Sequence, residues 1–430
     1  MKTEQLYNLF KESTGISTDS RSVKPGQIFF ALRGENFNGN RYAGDAISKG
    51  ALIAVIDDPV FKYDKTFLVD DTLVQLQELA KYYRNSLDIP VLAITGTNGK
   101  TTTKELIAAV LSKKLRVHYT KGNLNNEIGV PVTILSAPAD TEMLIIEMGA
   151  NHLNEIWKLC EIARPGFGLI TNIGKAHLEG FGSFEGVIKA KSELYEYLNK
   201  VNGISFYNDQ NKLLTDLLLN PGNRTVPYSD PVGTELRVEP LPSAMNVEAM
   251  VIYGDKTYSL KSSLFGHYNL DNIKAALATG LFFKISINDI IDAIEEYKPG
   301  NNRSQVRLTS KNTLICDSYN ANPVSMLMAI RSFSGIEGSN KLIILGDMLE
   351  LGEKSGDEHA RILEEIEALG FTDVLLVGHY FNKSADHTRY RIFANVEELK
   401  HYLEQEPVHG MTILIKGSRG MTLEKVYDVL

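Results

Sequence analysis

Seven short apolar runs, each ending in a polar turn, limit what this chain can fold into. Most of them are followed by a stretch with helical character. Strands that are buried on both faces have this composition, and their alternation with helices predicts parallel βαβ sheets. Each run also brings its polar turn to the carboxyl end of a strand, where open α/β sheets bind ligands. The runs are VLAITG, MLIIEMG, FGLITNIG, TLICDSYN, KLIILGDM, VLLVGH and TILIKGS.

The length of 430 residues is too great for one ordinary hydrophobic core and predicts several domains. Residues 1–84, with short strand-like pieces, many turn residues and a short helix near 44–50, are expected to form a small N-terminal α/β domain. The parallel pattern begins after the segment NSLDIP and defines a central domain over 85–300. A small antiparallel sheet is expected within it, between about 200 and 265. The turn YKPGNNRSQ then separates residues 301–430, where four strand–helix units predict a C-terminal α/β domain.

Composition excludes several classes of function. The chain has 45 basic and 53 acidic residues, a net charge of −8, which disfavours a broad nucleic-acid-binding surface. No apolar run approaches the roughly 18 residues of a membrane span, and the start, MKTEQLYNLF, lacks the apolar core of a signal peptide. The two cysteines, Cys160 and Cys316, indicate a reducing compartment, and Cys316 is expected to be a buried structural thiol. We therefore expect a soluble cytoplasmic protein.

Residues 95–104, TGTNGKTTTK, have the composition of a phosphate-binding loop. A standard P-loop, G-x-x-x-x-G-K-[ST], would need a glycine where this chain has Ile94. Backbone N–H groups of the turn and the N-terminus of the following helix suit an anion. Lys100 can reach the β- and γ-phosphates of a nucleotide, and the Thr101 hydroxyl can bind Mg²⁺. The alternative is a tight βα turn with a solvated lysine.

Two further polar clusters follow this loop. The segment GNLNNEIGVP gathers Asn123, Asn125 and Asn126 in one turn, a polar density that favours a ligand-facing loop. In IIEMGAN, Glu147 ends a predicted strand, where a carboxylate can hold a divalent cation. An asparagine-rich surface turn and a solvated carboxylate at the sheet edge are the alternatives for these clusters.

The segment TNIGKAHLEGFGSFEGVIKAKSELY sets His177 just after a strand and Lys191 on the following helix. A structural histidine is the common alternative to a ligand at such a position. Within this segment, GFGSFEG does not satisfy G-x-G-x-x-G, because Glu185 occupies the place of the third glycine. A dinucleotide site is therefore not supported.

Taken together and in this order, these motifs resemble the Mur ligase family of ATP-dependent amide-forming enzymes, over essentially the whole chain. That family uses a shortened T-G-[TS]-N-G-K-T loop, which accounts for the absent glycine at Ile94. The resemblance implies a uridine-nucleotide domain over 1–84, a P-loop-type ATPase domain over 85–300 and a Rossmann-like ligase domain over 301–430. The segment DSRSVKPGQIFFAL is similar to the family's uridine-nucleotide domain, although Asn-Gly-Asn at 38–40 stands where the family often has Asp-Gly-His.

The resemblance also implies roles for individual residues, several of them in the motifs FGHYNLDNIKAAL, NNRSQV and CDSYNANPVSM. It implies nucleotide binding by Gly96, Thr97, Asn98, Gly99, Lys100, Thr101, Thr102, Asn269, Asn272, Arg303 and Asp317, with Asn269 and Asn272 in a segment similar to the family's adenine-binding stretch. It implies substrate binding by Ser20, Arg21, Asn123, Asn125, Asn126, Tyr319, Asn320, Asn322, Lys416, Ser418 and Arg419. It implies catalytic roles for Lys100, Asn126, His177, Lys191 and Arg303. It implies two Mg²⁺ ions, one held by Thr101 and Glu147 and one by His177 and a carbamylated Lys191.

The implied reaction transfers the γ-phosphoryl group of ATP to a carboxylate, after which an amine attacks the acyl phosphate and forms an amide. GNLNNEIGVP, EMGAN, AHLEGFGS, DSYNANP, LGDMLELG and KGSRGM resemble the member that joins D-alanyl-D-alanine to UDP-N-acetylmuramoyl-tripeptide. Where this chain has Asp-Ser-Tyr-Asn at 317–320, the relative that adds the third amino acid would show Asp-Tyr-Ala-His. A folylpolyglutamate-type ligase would show Asp-Gly-Ala-His-Asn-Pro there. We expect a monomer that binds ATP, Mg²⁺ and these two substrates.

A P-loop switch or binding protein without enzymatic activity is the alternative from another class. Such a protein would not need Asp317, Lys416 and Arg419 on a third domain to converge on the nucleotide. The sequence therefore favours a ligase over a switch.

Overall fold

Three α/β units follow one another along the chain, each built around its own parallel strands. The computed structural model describes residues 2–174, 178–219, 222–242, 245–338, 340–384 and 390–430. Within these residues, 21 strands and 15 α-helices succeed one another, so the predicted α/β class is confirmed. No helix in this part of the chain is both long and apolar enough to cross a membrane.

The N-terminal unit is a small parallel sheet with helices packed against it. Its elements are α1 (Lys2–Glu12), β1 (Ile16–Ser17), β2 (Ile28–Phe30), β3 (Arg33–Gly34), β4 (Phe37–Asn38), α2 (Ala43–Ser48), β5 (Ile53–Ile56), β6 (Thr66–Leu68) and α3 (Thr72–Ser86). The strand order is β1-β2-β5-β6, with β3 and β4 paired separately. The short helix expected near 44–50 is α2. The Asp71 side chain caps α3 by accepting a hydrogen bond from the Val74 N–H.

The central unit is a six-stranded parallel sheet followed by antiparallel strands and two helices. Its elements are β7 (Val91–Thr95), α4 (Lys100–Leu111), β8 (Val117–Tyr119), α5 (Gly129–Leu135), β9 (Met143–Glu147), α6 (Glu155–Ala163), β10 (Phe167–Ile170), α7 (Leu178–Phe181), α8 (Phe184–Lys200), β11 (Ile204–Tyr207), α9 (Lys212–Leu217), β12 (Arg224–Pro227), β13 (Leu236–Pro240), β14 (Asn246–Tyr253), β15 (Lys256–Phe265), α10 (Leu270–Phe282) and α11 (Ile287–Glu296). The order β12-β11-β10-β7-β9-β8 sets β7 between β9 and β10. All residues of β7 are buried, as expected for a strand covered on both faces. The crevice at its carboxyl end is where such sheets bind ligands.

The C-terminal unit is a second parallel sheet with an antiparallel border. Its elements are β16 (Gln305–Leu308), β17 (Thr313–Asp317), α12 (Pro323–Ser334), β18 (Lys341–Gly346), α13 (Ser355–Ala368), β19 (Val374–Val377), α14 (His379–Ser384), β20 (Arg391–Phe393), α15 (Val396–Gln405) and β21 (Thr412–Lys416). The parallel strands have the order β17-β21-β18-β19-β20, and β16 runs antiparallel to β17. Strands β13–β15 extend this sheet through one residue pair, Leu264 with Gln305.

The N-terminal and central units share one hydrophobic core. Leu76 and Leu79 of α3 belong to the same buried cluster as Val130 and Ile134 of α5. Full burial of such a side chain contributes about 1.5–3 kcal/mol. The N-terminal unit is therefore fixed against the helices that flank the central sheet, and α3 continues two residues past the domain boundary expected at residue 84.

The apolar runs correctly predicted the most buried strands of the central and C-terminal units but missed strands that are less buried. Strands β7, β9, β10, β17, β18, β19 and β21 coincide with the seven runs. Strands β8, β11, β12, β16 and β20 were not predicted, because at most two residues of each are buried and each contains polar residues. The antiparallel sheet expected from about residue 200 begins only at Leu236, since β11 and β12 extend the central parallel sheet instead. Cys316 is buried as expected.

Candidate active site

The turn at residues 96–99 joins β7 to α4 at the centre of the parallel sheet. Gly99 precedes α4 with a φ of 80°, a left-handed conformation that favours glycine. A Cβ atom at Gly99 would lie 2.5 Å from Asn272 Oδ1, so no other residue fits without displacing that side chain. Gly96 also has a positive φ, of 144°, and a Cβ there would collide with the Thr171 side chain. The backbone is therefore free to approach an anion closely.

Hydrogen bonds to the end of β10 hold this turn in place. The Thr97 N–H donates to the Asn172 carbonyl at 2.9 Å, and the Asn98 N–H donates to Asn172 Oδ1 at 3.0 Å. The Thr171 hydroxyl donates to the Asn98 carbonyl at 2.6 Å. The loop is thus cross-linked to a neighbouring strand before any ligand binds, which reduces the entropy lost on binding.

Lys100 lies at the first position of α4, beside the N–H groups that begin the helix. Its Nζ donates to the carbonyls of Gly96 at 2.7 Å and Thr97 at 3.1 Å. Burial lowers the pKa of the Lys100 ammonium, and the positive charge of Arg303 acts in the same direction while Glu147 opposes both. A phosphate bound in the turn would give this ammonium a negatively charged partner. Thr102, also predicted to bind nucleotide, is buried in the first turn of α4.

Glu147 ends β9, next to β7, and points into the same crevice. Its Oε1 accepts hydrogen bonds from Asn125 Nδ2 at 2.8 Å and from the Thr101 hydroxyl at 3.3 Å. Its backbone N–H donates to the Thr120 hydroxyl at 3.0 Å. The structure thus brings Thr101 and Glu147 together, as the sequence predicted for a cation site.

The charge of Glu147 is maintained although the side chain is 1% exposed. Burial raises the pKa of this carboxyl, but the positive charges of Lys104, Lys100 and Arg303 outweigh the burial and lower it. The Lys104 ammonium lies 3.4 Å from Glu147 Oε2. Glu147 is therefore an ionised carboxylate at neutral pH, as a ligand of a hard cation must be.

Lys191 and Lys189 lie on α8 but differ in environment. Lys191 is 3% exposed, whereas Lys189 faces solvent. Burial and the charge of Lys100 lower the pKa of Lys191 to about 7, against opposing contributions from Glu155 and Glu193. An amine with this pKa is about half neutral at pH 7. His177, the predicted partner of Lys191, lies outside the described residues.

The asparagine-rich turn connects the N-terminal unit to the crevice. Asn125 reaches Glu147, while Asn126 Oδ1 accepts a hydrogen bond from the Gly129 N–H at 2.9 Å at the start of α5. Asn123 is exposed. Gln77 of α3 donates through Nε2 to the carbonyl of Glu127 at 3.1 Å. The turn is therefore bonded both to the N-terminal unit and to the carboxylate in the crevice.

Asn269 and Asn272, predicted to bind adenine, form a buried relay at the start of α10. Asn269 Nδ2 donates to the Phe265 carbonyl at 2.7 Å, and its Oδ1 accepts from Asn272 Nδ2 at 2.7 Å. Asn272 Oδ1 in turn accepts from the Thr103 hydroxyl at 2.9 Å. Both residues therefore support the phosphate loop next to Gly99. The contact of either amide with a base remains a prediction.

The C-terminal unit contributes charged groups to the same crevice. Lys416 Nζ and Asp317 Oδ2 form a buried ion pair at 2.6 Å. Asp317 Oδ1 accepts a hydrogen bond from the Ser304 N–H at 2.8 Å. The guanidinium of Arg303 lies 3.7 Å from the centre of the Tyr319 ring, and its charge reaches Lys100, as noted above. Arg303 thus connects the C-terminal unit with Lys100 of the central unit, and the pair of Asp317 and Lys416 is bonded to Ser304, the residue after Arg303.

A direct hydrogen bond joins the C-terminal unit to the phosphate loop. Asn322 Nδ2 donates to Asn98 Oδ1 at 2.7 Å, across a sequence separation of 224 residues. Ser418 accepts a hydrogen bond from the Leu349 N–H at 2.9 Å. Arg419 lies 5.9 Å from the Tyr319 ring and pairs with Glu424 at 2.7 Å. The exposed Asn320 accepts a hydrogen bond at its carbonyl from Lys416 Nζ at 3.3 Å.

The N-terminal unit carries the two residues predicted to contact uridine. Arg21 is exposed and paired with Asp19 at 2.7 Å, and Ser20 accepts at its carbonyl a hydrogen bond from Lys49 Nζ at 2.8 Å. Asn40, where the family often has histidine, is fully buried. Its amide donates to Asp57 Oδ1 at 2.8 Å, and its Oδ1 accepts from the Asp57 N–H at 3.0 Å. Asn40, which differs from the family pattern, therefore forms hydrogen bonds that hold the N-terminal fold together.

Replacing Asn40 with alanine is expected to destabilise the protein by about 2–4 kcal/mol, because several buried polar groups around Asp57 would lose their partners. Equilibrium unfolding in urea measures this change. Arg41→Ala, at an exposed neighbouring position, is the matched control and should change stability by no more than about 0.5 kcal/mol. Equal effects of the two substitutions would contradict the scaffold role of Asn40.

Several residues of this site were not predicted from the sequence. Thr171 and Asn172 hold the loop, Thr103 supports Asn272, and Lys104 pairs with Glu147. Lys104 lies in the quoted motif TGTNGKTTTK, four residues after Lys100, and this spacing puts both on one face of a helix. No comparable signal distinguishes Thr171 and Asn172. Among the described residues, no group of three or more histidine, cysteine, aspartate and glutamate side chains could hold a metal ion.

Comparison with protein-family models matches nearly the whole chain. Residues 12–93 match the model described as Mur ligase family, catalytic domain, and residues 94–280 match the Mur ligase middle domain. Residues 302–419 match the model described as Mur ligase, glutamate ligase domain. The three matches succeed one another in the order of the three structural units.

Curated proteins and solved structures are similar over the same extent. The chain is 33% identical to the UDP-N-acetylmuramoyl-tripeptide–D-alanyl-D-alanine ligase of Bacillus subtilis, covering 96% of this chain and 92% of that protein. It is 33% identical to the ligase of the same name from Escherichia coli, covering 96% and 93%. The structure of MurF from Acinetobacter baumannii superposes with a TM-score of 0.87 at 27% identity, covering 99% of this chain and 97% of that one. MurF of Thermotoga maritima in complex with ADP gives 0.84 at 26% identity, covering 98% and 97%.

Proposed function

The chain belongs to the Mur ligase family, and on this premise we propose that it joins D-alanyl-D-alanine to the terminal carboxylate of UDP-N-acetylmuramoyl-tripeptide. The reaction consumes ATP, proceeds through an acyl phosphate and supplies a precursor for peptidoglycan. Two curated ligases with this activity in their names are each 33% identical to the chain over almost its full length.

The observation that carries the proposal is the convergence of two units on one loop. Asn322 of the C-terminal unit is bonded to Asn98 of the phosphate loop, and the charge of Arg303 acts on Lys100. A P-loop switch needs a nucleotide site alone, whereas a ligase must also hold an acceptor amine next to the phosphate. Asp317 and Lys416 form a buried pair at one edge of the C-terminal sheet, where the carboxyl ends of β17 and β21 lie side by side.

The first step brings the peptide carboxylate to the γ-phosphate of ATP, two groups of like charge. At about 4 Å and an effective dielectric constant near 20, each pair of unit charges costs roughly 4 kcal/mol. Lys100 and Arg303 are positioned to offset this repulsion and to stabilise charge on the transferring phosphoryl group. Asn126 is expected to orient the carboxylate. One carboxylate oxygen then forms a bond to phosphorus as the bond to ADP breaks.

The second step is attack of the D-alanyl-D-alanine amine on the acyl phosphate carbon. The carbon–nitrogen bond forms, phosphate leaves with the bonding electron pair, and the amine loses one proton. Tyr319, Asn320, Asn322, Lys416, Ser418 and Arg419 are proposed to bind this acceptor. Ser20 and Arg21 on the N-terminal unit, together with Asn123 and Asn125, are proposed to bind the uridine-nucleotide substrate.

Magnesium fits the donor set of this crevice. The Thr101 hydroxyl and Glu147 Oε1 are 3.3 Å apart, and both are hard oxygen donors at the end of the phosphate loop. They would hold one ion, and Lys191, as a carbamate, would hold a second with His177. Bound magnesium neutralises phosphate charge and orients the γ-phosphoryl group. The remaining contributions come from the protein's own side chains.

Further parts of the proposal rest on the family. We propose the functional division into residues 1–84 for the uridine nucleotide, 85–300 for ATP and 301–430 for the acceptor. We propose a cytoplasmic location because ATP and nucleotide-linked precursors are the substrates, and we propose that the protein is a monomer. The relative that adds the third amino acid and the folylpolyglutamate-type ligase remain the competing functions, disfavoured by Asp-Ser-Tyr-Asn at 317–320.

The test is the substrate requirement for ADP release. We expect ADP to form at a high rate only when UDP-N-acetylmuramoyl-tripeptide and D-alanyl-D-alanine are both present, and mass spectrometry should detect the pentapeptide product. Omitting either substrate is the control. Equal ADP release with a folate and glutamate, or with a dipeptide substrate and a single amino acid, would refute the assignment in favour of a relative.

A further inference from the structure

Lys104 is a fully buried lysine in the phosphate-binding helix α4. It lies one helical turn after Lys100, on the same face of the helix. Its Nζ atom has no hydrogen-bond partner among the described residues, and the same holds for Glu147 Oε2. A buried ammonium and a buried carboxylate oxygen that lack hydrogen bonds are both costly, so their proximity calls for an explanation.

Three groups surround the Lys104 ammonium. Glu147 Oε2 lies at 3.4 Å, Glu105 Oε1 at 3.9 Å, and the centre of the Tyr119 ring at 5.9 Å. The contact with Glu147 is electrostatic without hydrogen-bond geometry, whereas Glu147 Oε1 is hydrogen-bonded to Asn125 and Thr101. The two carboxylate oxygens therefore have different surroundings: Oε2 faces Lys104, and Oε1 faces the phosphate loop.

We propose that Lys104 is a positioning residue for Glu147. Because Lys104 balances the charge of this carboxylate, a divalent cation binds at Thr101 and Glu147 only when the nucleotide is also bound. The inference rests on the proposed function, which assigns Thr101 and Glu147 to the cation. Lys104 itself touches neither nucleotide nor substrate. It acts by holding Oε2 and leaving Oε1 as the single oxygen available in the crevice.

The charges around the site explain why binding of the cation would depend on bound nucleotide. Glu147 and Glu105 are negative, while Lys104, Lys100 and Arg303 are positive, and the last two also act on Glu147. With three positive and two negative side chains, the site repels a free divalent cation. The phosphates of a bound nucleotide reverse this balance and add ligands for the ion. Without Lys104, Glu147 would attract a divalent cation even before nucleotide binds.

The experiment measures Mn²⁺ binding by electron paramagnetic resonance of the free ion, with and without a non-hydrolysable ATP analogue. Wild type is expected to bind Mn²⁺ tightly only with the analogue, relative to a blank of analogue alone. Lys104→Met and Lys104→Gln should each tighten nucleotide-free Mn²⁺ binding by about tenfold or more. Loss of structure does not create a tighter ion site, so this gain separates positioning from damage to the fold.

Lys114→Met is the matched control, because it removes the same charge just beyond the far end of the same helix, where Lys114 is exposed. It should leave nucleotide-free binding unchanged. Lys104→Gln keeps a polar side chain near Glu147 Oε2 and guards against misfolding of the Met variant. Unchanged Mn²⁺ binding in the Lys104 variants, an equal gain in Lys114→Met, or tight nucleotide-free binding by wild type would each overturn the proposal. Failure of wild type to bind Mn²⁺ even with bound analogue would instead refute the assignment of Thr101 and Glu147 on which it rests.

Discussion

Lys100→Ala is expected to reduce turnover by about 10³-fold or more while leaving the fold intact. The Lys100 ammonium is the cation at the start of α4, and phosphoryl transfer depends on positioned positive charge. Among the described residues, its hydrogen bonds go only to carbonyls of its own loop, those of Gly96 and Thr97. Its removal therefore costs little core packing, and it relieves repulsion with Arg303.

Steady-state ADP release with both substrates, together with a thermal melt of each variant, measures this prediction. Lys113→Ala is the control, since Lys113 lies past the far end of the same helix in an exposed ion pair with Glu296 at 2.7 Å. Such a pair contributes roughly 0–1 kcal/mol, so activity and melting should stay near wild type. A Lys100→Ala enzyme within tenfold of wild-type turnover would contradict the phosphate-loop interpretation.

The phosphate loop could be predicted from the sequence because its determinants are local. Gly96, Gly99, Lys100 and Thr101 lie within six residues, and the helix that follows has a regular apolar pattern. Residue type, spacing and the preceding strand therefore suffice to predict both the backbone conformation and the anion that it suits.

Contacts between distant segments could not be predicted in the same way. Asn98 meets Asn322 from a separate unit, and Lys104 meets Glu147 only because β9 is inserted next to β7. Asn272 likewise accepts a hydrogen bond from the Thr103 hydroxyl, 169 residues earlier in the chain. Sequence spacing carries no information about which buried polar group satisfies another across a sheet.

For the hypothesis of a carbamate at Lys191, the sequence and the structure contribute different evidence. The motif KAKSELY offers Lys189 and Lys191, and helical periodicity alone does not decide between them. The structure buries Lys191 and exposes Lys189, and burial lowers the pKa of Lys191 to about 7. Only a neutral amine can attack CO₂, so the burial of Lys191 favours it as the site of the proposed carbamate.

Lys191→Ala is accordingly expected to lower turnover by on the order of 10²-fold or more, and added formate or acetate should restore part of the loss. The amine nitrogen bonds to the carbon of CO₂ and releases one proton, and the side chain changes from an ammonium that repels Mg²⁺ to a carbamate with two oxygens. A small carboxylate entering the space left by alanine supplies similar oxygens. Because the reactive amine becomes protonated as the pH falls through about 7, carbamate formation should decline below that pH.

Lys189→Ala, two residues earlier on the same helix, is the matched control and should keep wild-type activity. Carbon-13 NMR with labelled bicarbonate gives a readout independent of turnover: a carbamate signal is expected in wild type and Lys189→Ala and absent in Lys191→Ala. Full activity of Lys191→Ala without an additive would exclude the carbamate role. A folded but inactive variant that neither carboxylate rescues, with no carbamate signal in wild type, would instead favour an ammonium that contacts phosphate directly.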